Sequence, residues 1–336
     1  MRPFLYERVE AIEEAVRPTA IDVPAVAAPR QFIAGGTNII DYMRLGVTRP
    51  EALVDVNGLD RTAYGRIAVS DQGLKLGALV RMAEAEDNEA IRTGYPVIAD
   101  SLKLAASRQI RNAASLGGNV LQRTRCLYFR DTSWPCNKRE PGSGCAAIGG
   151  INRMHAILGT SDSCIAAYPG DFAQALIALD AVVETVGPQG TRRIPFIELH
   201  RLPEDTPDVE TMLDPGELIT LIEVPAGPWT RRSRYVKVRD RESYSFALAS
   251  AAVALHLDGE VVREARIALG GVATIPWRAR TAESLLKGRL LDEAAARAAA
   301  EEAFAKAKPS GFTTFKLPLG KETLIRALLE TKAMAV

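Results

Sequence analysis

The stretch FIAGGTNIIDYMR at residues 32–44 decides the fold. A short apolar strand, predicted over 31–34, runs into Gly35-Gly36. Thr37 is predicted to cap the helix that follows, which stops at Gly46. Residues 52–56 (ALVDV) predict a second strand. The order strand, glycine turn, helix, strand is typical of two strands that pair in parallel.

A second Gly-Gly turn, SLGGN at 115–119, has the same character as AGGTN at 34–38. Glycine lets a ligand approach the backbone without meeting a Cβ atom, and N–H groups at the start of a helix can bind an anion. Each turn alone is equally consistent with an ordinary strand–helix connection. Two of them indicate a diphosphate held from both sides, which favours a dinucleotide over a mononucleotide.

The common nucleotide-binding fingerprints do not supply that site. The string PGSGCAA at 141–147 contains G-x-G-x-x-A, but it follows CNKRE and not an apolar strand, so we interpret it as a false positive. The sequence also contains no P-loop. The surviving class is a dinucleotide-binding protein without a Rossmann fold.

Composition limits the other classes of function. The chain has 336 residues, enough for about two domains, and its net charge of +1 gives no reason to expect a nucleic-acid or anionic-membrane partner. Hydrophobic residues make up 47% of the chain. No apolar run is long enough to cross a bilayer, and the first 16 residues lack the apolar segment of a signal peptide. We therefore expect a soluble polypeptide without an export signal of its own.

The four cysteines of the chain, Cys126, Cys136, Cys145 and Cys164, fall within 39 consecutive residues. Disulfides are disfavoured because nothing indicates an oxidising compartment. A zinc site usually contains C-x2–4-C pairs, whereas these gaps are nine, eight and eighteen residues. Four unrelated thiols would leave the clustering unexplained. An iron–sulfur cluster needs only that four thiolates converge from an irregular loop, so we favour it while zinc stays open.

Periodicity over the rest of the chain predicts a mixture of helices and strands. Hairpins are predicted around 71–73 and between 182–186 and 192–195, a long helix over 89–106, and a strand over 217–224. After a Pro- and Gly-containing boundary at 225–228, the predicted elements are strands at 235–238, 247–257 and 265–269, then helices at 280–287, 291–306 and 321–332. A sheet followed by helices is typical of an α+β domain.

Five strings in this order resemble the FAD-binding subunit of the xanthine dehydrogenase family of molybdenum hydroxylases. They are FIAGGTNIIDYMR (32–44), RQIRNAASLGGNV (108–120), YPGDFAQALIALDA (168–181), YVKVRDRESYSFALASAAVAL (235–255) and GGVATIPWRA (270–279). The resemblance implies an α+β chain. Its FAD-binding domain, 1–226, would be two-lobed and of the vanillyl-alcohol-oxidase/PCMH type, with lobes at about 1–58 and 59–226. A C-terminal α+β flavoprotein domain would follow at 230–336.

The cysteine-containing insert, at about 123–166, departs from most of the family. It resembles the insert of aldehyde oxidoreductase flavin subunits, which carry an extra 4Fe-4S cluster, and 4-hydroxybenzoyl-CoA reductase has a comparable one. The strings RCLYFRDTSWPCNKREPGSGC and NRMHAILGTSDSC look closer to the aldehyde oxidoreductase group. The resemblance implies that Cys126, Cys136, Cys145 and Cys164 are the cluster ligands.

The resemblance also implies the residues that hold FAD. One side of the diphosphate would meet Ile33, Ala34, Gly35, Gly36, Thr37, Asn38 and Ile39, and the other side Ser115, Gly118, Asn119 and Leu121. The flavin itself would meet Asp171 at a polar edge, Ile219 as an apolar contact, and Lys237, whose charge would favour the reduced ring. Without the resemblance, Lys237 would be an exposed edge-strand lysine, and Asp171 the cap of the helix over 171–179.

The implied function is an electron-transfer subunit, with no substrate chemistry of its own, in a three-subunit molybdenum-dependent aldehyde oxidoreductase. One partner would hold the molybdenum cofactor and another the 2Fe-2S clusters, and electrons would leave through FAD to an external acceptor. The alternatives are a 4-hydroxybenzoyl-CoA reductase-type or xanthine dehydrogenase-type complex, or a metal-stapled scaffold without enzyme activity. The chain's own sequence indicates the cytoplasm, or the periplasm if a partner carries a twin-arginine signal.

Overall fold

Three β-sheets organise the protein in its computed structural model, which describes residues 1–17 and 24–336. Residues 18–23 of the predicted first lobe lie outside the described residues. The strands in chain order are β1 (Leu5–Arg8), β2 (Arg30–Ile33), β3 (Ala52–Asp55), β4 (Ile67–Ser70), β5 (Gly73–Gly77), β6 (Val182–Gly187), β7 (Gly190–Pro195), β8 (Leu218–Pro225), β9 (Ser233–Val238), β10 (Ala249–Asp258), β11 (Val261–Gly270) and β12 (Trp277–Arg278).

The helices are short except at the C-terminus. They are α1 (Ile12–Ala15), α2 (Ile39–Arg44), α3 (Arg61–Tyr64), α4 (Met82–Asp87), α5 (Glu89–Gly94), α6 (Pro96–Lys103), α7 (Arg108–Ala113), α8 (Leu116–Val120), α9 (Leu127–Arg130), α10 (Phe172–Ala178), α11 (Phe196–Leu199), α12 (Arg280–Leu286), α13 (Glu293–Ala303) and α14 (Lys316–Lys332). None of the helices in the described ranges is both long and apolar enough to cross a membrane.

The first sheet is parallel, with strand order β1-β3-β2. The central strand β3 is buried along its whole length, as its apolar sequence predicts. The predicted parallel unit of strand, glycine turn, helix and strand is therefore confirmed. The predicted Thr37 cap is wrong, because α2 begins at Ile39 and Asn38 occupies the cap position without a side-chain hydrogen bond. Strand β1 has mostly exposed side chains and gives no apolar signal in the sequence.

The second sheet is antiparallel, with strand order β4-β5-β8-β6-β7. Both predicted hairpins are present in it, and β8 joins them. The predicted long helix over 89–106 is wrong: it is two helices, α5 and α6. Gly94 ends the first, and Pro96 occupies the first turn of the second, where a missing N–H group costs nothing.

The third sheet, with strand order β12-β11-β10-β9, lies between two layers of helix. Helix α14 packs on one face, and α6 and α10 of the preceding domain pack on the other. This explains the long apolar run of β10, in which residues 249–255 are all buried. The sheet followed by α12, α13 and α14 confirms the predicted α+β arrangement, although α14 begins at Lys316 and not at residue 321.

The cysteine insert packs against helix α2 and the residues around it. It is mostly irregular, as predicted, and its short helix α9 presents the fully buried Phe129. The Phe129 ring meets Tyr42 of α2 edge-on, with 5.9 Å between ring centroids. Val26, Val47 and Cys136 complete this small core. The insert is thus fixed against the helix that follows the first glycine turn.

Asp180 joins helix α10 to the C-terminal sheet. Its carboxylate pairs with Arg266 of β11 and lies 2.8 Å from Arg278 of β12, and both arginine side chains are more than nine-tenths buried. Asp180 itself has a positive φ of 51°, which Asp and Asn tolerate better than other side chains. The ion pairs therefore fasten the two domains at a position where the backbone would accept asparagine.

We expect Asp180→Asn to lower the free energy of unfolding by about 1–2 kcal/mol, because two buried arginines lose part of their counter-charge while keeping Glu264 and Glu283. Urea unfolding measures the change. The control is Asp258→Asn, which removes an exposed pair with Arg263 and should change the value by less than about 0.5 kcal/mol. Equal effects of the two substitutions would contradict this role for Asp180.

Candidate cofactor site

The two glycine turns lie directly against each other. A Cβ atom placed on Gly35 would lie 2.1 Å from the carbonyl oxygen of Ala113, two residues before Ser115. Only glycine fits there. Gly36 has a φ of 71°, in the left-handed region that favours glycine. The two glycines therefore have different structural roles. Gly35 allows the close approach of the Ala113 carbonyl, and Gly36 allows the sharp turn into α2.

A chain of hydrogen bonds connects the two turns. The Asn57 side-chain amide donates to the carbonyl oxygen of Ala34 at 2.8 Å, and its oxygen accepts from Arg81 at 2.7 Å. Arg81 donates in turn to the carbonyl oxygen of Ala113 at 2.6 Å. Neither Asn57 nor Arg81 was predicted as a site residue from the sequence. The only signal was that each follows a buried strand beside a glycine turn.

The second turn is seated on the end of β5. The N–H groups of Leu116 and Gly117 donate to the carbonyl oxygens of Val80 and Ala78, both at 2.9 Å. Ser115 caps α8, because its hydroxyl accepts from the Gly118 N–H group at 3.3 Å. These bonds hold the start of α8 beside the start of α2.

A cavity of about 1450 Å³ opens over both turns. Of the residues predicted to contact FAD, those that line it are Ala34, Gly35, Gly36, Thr37, Asn38, Ile39, Ser115, Gly118, Asn119, Leu121, Asp171 and Ile219. Ile33 and Lys237 are not among its lining residues. Ile33 packs instead with Met43 and Leu53.

Asp171 lies at the cavity wall and is held from behind by two buried donors. The Tyr235 hydroxyl donates to one carboxylate oxygen at 2.7 Å, and the Lys237 ammonium donates to the other at 2.7 Å. Lys237 also donates to the carbonyl oxygen of Leu104 at 3.0 Å. Burial raises the pKa of Tyr235 well above its ordinary value, so its hydroxyl keeps the proton that it donates.

The alternative interpretation of Lys237 is wrong, whereas that of Asp171 is confirmed in its position only. The Lys237 side chain is only 1% exposed, so it is not an exposed edge-strand lysine. Asp171 occupies the cap position of α10 but makes no side-chain cap hydrogen bond, because its oxygens are bound to Tyr235 and Lys237. The structure therefore presents a fixed, charge-compensated carboxylate to the cavity.

The four cysteines gather in one part of the insert, and none of them forms a disulfide. Cys136 and Cys145 face each other across an antiparallel bridge. Burial raises the pKa of Cys126 to about 12, and Cys136 and Cys164 are near enough to raise it further. Burial likewise raises the pKa of Cys164 to about 11, against the opposing charge of Lys138. His155, which was not predicted as a site residue, places Nε2 3.1 Å from the Cys126 sulfur.

Within the described residues, no three His, Cys, Asp or Glu side chains lie close enough together to hold a single metal ion. The thiols are neighbours but do not form a tight ligand set around one point.

Glu210 ties the insert to the loop that precedes β8. It pairs with Arg123, and its carboxylate lies 3.0 Å from the Lys138 ammonium. Burial raises the pKa of Glu210, but the two cations outweigh burial and hold the pKa below its ordinary value. Glu210, Arg123 and Lys138 all line the cavity, so the insert forms part of its wall.

Two family models together match nearly the whole chain. Residues 2–227 match the FAD binding domain in molybdopterin dehydrogenase, and residues 234–331 match the CO dehydrogenase flavoprotein C-terminal domain. The chain belongs to the FAD-binding subunits of the molybdenum hydroxylases. It is therefore an oxidoreductase subunit with an FAD-binding domain, and the predicted family and α+β fold are confirmed.

Individual relatives align with all or nearly all of the chain. The chain is 46% identical over 337 aligned residues, the full length of both proteins, to the aldehyde oxidoreductase FAD-binding subunit PaoB of Escherichia coli (strain K12). It is 24% identical to the carbon monoxide dehydrogenase medium chain of Hydrogenophaga pseudoflava, covering 97% of this chain and 96% of that one. Among solved structures, reconstituted CO dehydrogenase from Oligotropha carboxidovorans has the same fold, with a TM-score of 0.75 at 24% identity and 99% of both chains covered.

We expect Gly35→Ala to separate the two turns, because a methyl group cannot share the space of the Ala113 carbonyl oxygen. The thermal midpoint should fall, by an amount equivalent to about 2–3 kcal/mol, and the purified subunit should lose most of its flavin absorbance. Gly94→Ala is the control, since a Cβ there meets nothing within 4 Å. A Gly35→Ala protein that is equally stable and retains its full content of bound flavin would show that the contact between the turns is dispensable.

Glu210→Gln should destabilise the protein by about 2–3 kcal/mol at pH 7, because Arg123 and Lys138 lose their shared counter-ion in a largely buried setting. A carboxyl with a depressed folded pKa stabilises above its unfolded pKa and loses that effect as the pH falls through the folded pKa. The difference between wild type and variant should therefore shrink below about pH 4.5. Denaturant unfolding over a pH series measures this, and a constant difference down to acid pH would contradict it.

Proposed function

We propose that this chain is the FAD- and 4Fe-4S-containing electron-transfer subunit of a molybdenum-dependent aldehyde oxidoreductase. The observation that carries the proposal is the 46% identity, over the full length of both chains, to a protein named as an aldehyde oxidoreductase FAD-binding subunit. In this role the chain receives electrons from partners with molybdenum and 2Fe-2S centres and passes them to an external acceptor. The proposed domains are 1–226 and 230–336.

The size of the cavity, about 1450 Å³, and the chemistry of its walls support FAD as its ligand. The diphosphate would lie between the turns at 34–38 and 115–119, where glycines leave the backbone open to close approach. The flavin end would lie toward Asp171 and Ile219. Bound FAD would supply reversible electron transfer.

Asp171 is proposed to orient the flavin through its carboxylate. Because Tyr235 and Lys237 occupy the rear of that carboxylate, its remaining lone pairs can accept hydrogen bonds from a ribityl hydroxyl or a ring N–H group. Lys237 then acts on the flavin through Asp171 and not by direct contact. Ile33 contributes by packing behind the first turn.

The insert is proposed to hold a 4Fe-4S cluster through Cys126, Cys136, Cys145 and Cys164. A four-iron cluster holds its thiolates farther apart than one zinc ion does, which suits four neighbouring thiols that form no tight single-ion set. Nearby positive charge from Lys138 suits the negative charge of thiolate ligands. The insert would then bring its cluster to the same lobe that carries the first glycine turn.

The molybdenum and 2Fe-2S centres are assigned to partner chains, because this sequence contains no motif for either. The carbon monoxide dehydrogenase relatives are named as medium chains, which fits a complex with a larger and a smaller partner. The proposed compartment is the cytoplasm, or the periplasm when a partner carries the export signal.

The test is metal and flavin analysis of the complex purified anaerobically. We expect one FAD and about four iron atoms from this chain, and Cys136→Ser should remove the iron of the insert while retaining most of the flavin. Ser163→Ala, a substitution in the same loop that removes no thiol, is the control and should keep both. Zinc in place of iron, or iron unchanged in Cys136→Ser, would refute the cluster; absence of flavin from the wild-type complex would refute the proposed function.

A further inference from the structure

A diphosphate brings about two negative charges into a cavity whose glycine turns offer neutral N–H groups. The turns need a cation nearby, because burying an uncompensated anion is costly. Most of the basic residues that line the cavity already have carboxylate partners among the described residues. Arg30 pairs with Glu7, Arg130 pairs with Asp41, and Arg123 and Lys138 share Glu210.

Arg125 is different, because it lines the cavity with no carboxylate partner in the described part of the chain. Its guanidinium donates only to neutral oxygens. These are the Asn38 side-chain oxygen at 2.5 Å, the Arg123 carbonyl oxygen at 2.8 Å, and the Tyr42 hydroxyl. The positive charge of Arg125 is therefore left uncompensated at the edge of the first glycine turn.

Aromatic rings hold the guanidinium in place. It lies 5.6 Å from the Tyr42 ring centroid and 5.3 Å from that of Phe246, which also lines the cavity. Arg125 thereby joins three segments: the helix after the first turn, the insert, and the loop after β9. A planar guanidinium fixed in this way is suited to bidentate hydrogen bonding with phosphate oxygens.

We propose that Arg125, supplied by the cysteine insert, binds the diphosphate of the dinucleotide and offsets part of its negative charge. The inference rests on the proposed placement of FAD and adds a ligand from outside both glycine turns. It makes the insert part of the cofactor site and not only the carrier of the cysteines. Two further cavity arginines, Arg201 and Arg241, have no carboxylate partner among residues 1–17 and 24–336, and within those ranges neither makes a side-chain bond to a glycine turn.

The experiment compares binding of FAD and riboflavin to the deflavinated full-length chain by fluorescence quenching. Riboflavin has the same ring and ribityl chain but no phosphate. We expect Arg125→Gln to weaken FAD binding about tenfold to a hundredfold and riboflavin binding less than about twofold, with Arg125→Lys intermediate. FAD binding by wild type should weaken with added KCl, and the salt dependence should be shallower in Arg125→Gln.

Arg139→Gln is the matched control. Arg139 donates to the carbonyl oxygens of Tyr128 and Phe129 inside the same insert but does not line the cavity. It should lower thermal stability while leaving the ratio of FAD to riboflavin affinity unchanged.

Three results would overturn the assignment of Arg125. Unchanged FAD affinity in Arg125→Gln, with normal binding in wild type, would refute the role of Arg125 but not the proposed cofactor site. Equal losses of FAD and riboflavin affinity, as expected of a damaged insert, would also refute it. Failure of the wild-type chain to bind FAD at all would refute the proposed cofactor site as well.

Discussion

The contact between Gly35 and the Ala113 carbonyl is the constraint on which the site depends. It brings together the turn that follows β2 and the turn between α7 and α8, which are about 80 residues apart in the sequence. Asn57 and Arg81 reinforce the contact through the carbonyl oxygens on either side of it. The starts of α2 and α8 then face one cavity, and every other feature of the site is arranged around that opening.

The walls of the cavity come from parts of the chain with separate structural origins. Helix α10 carries Asp171, but the donors that fix its carboxylate come from β9 of the C-terminal sheet. The insert contributes Arg125 and the cations Arg123 and Lys138, which pair with Glu210. Because the C-terminal sheet packs on α6 and α10, the position of the Asp171 carboxylate depends on the contact between the two domains.

Local sequence patterns predicted much of the fold because they report on short-range constraints. The glycine turns, the hairpins and the parallel unit of β2, α2 and β3 were all predicted from residues close in sequence. The long helix at 89–106 failed because apolar periodicity continued across Gly94 and Pro96, which break it. Strand β1 could not be predicted, because its pairing with β3 supplies the stability that its exposed side chains do not.

The site was less predictable, since its main contacts join residues far apart in sequence. No local pattern indicates that Lys237 is buried against Asp171, or that Arg125 reaches Asn38. The most direct test of the account is a crystal structure of the flavin-loaded chain. We expect the diphosphate to lie within hydrogen-bonding distance of backbone N–H groups from both glycine turns; binding by only one turn, or by neither, would show that the turns do not form one site.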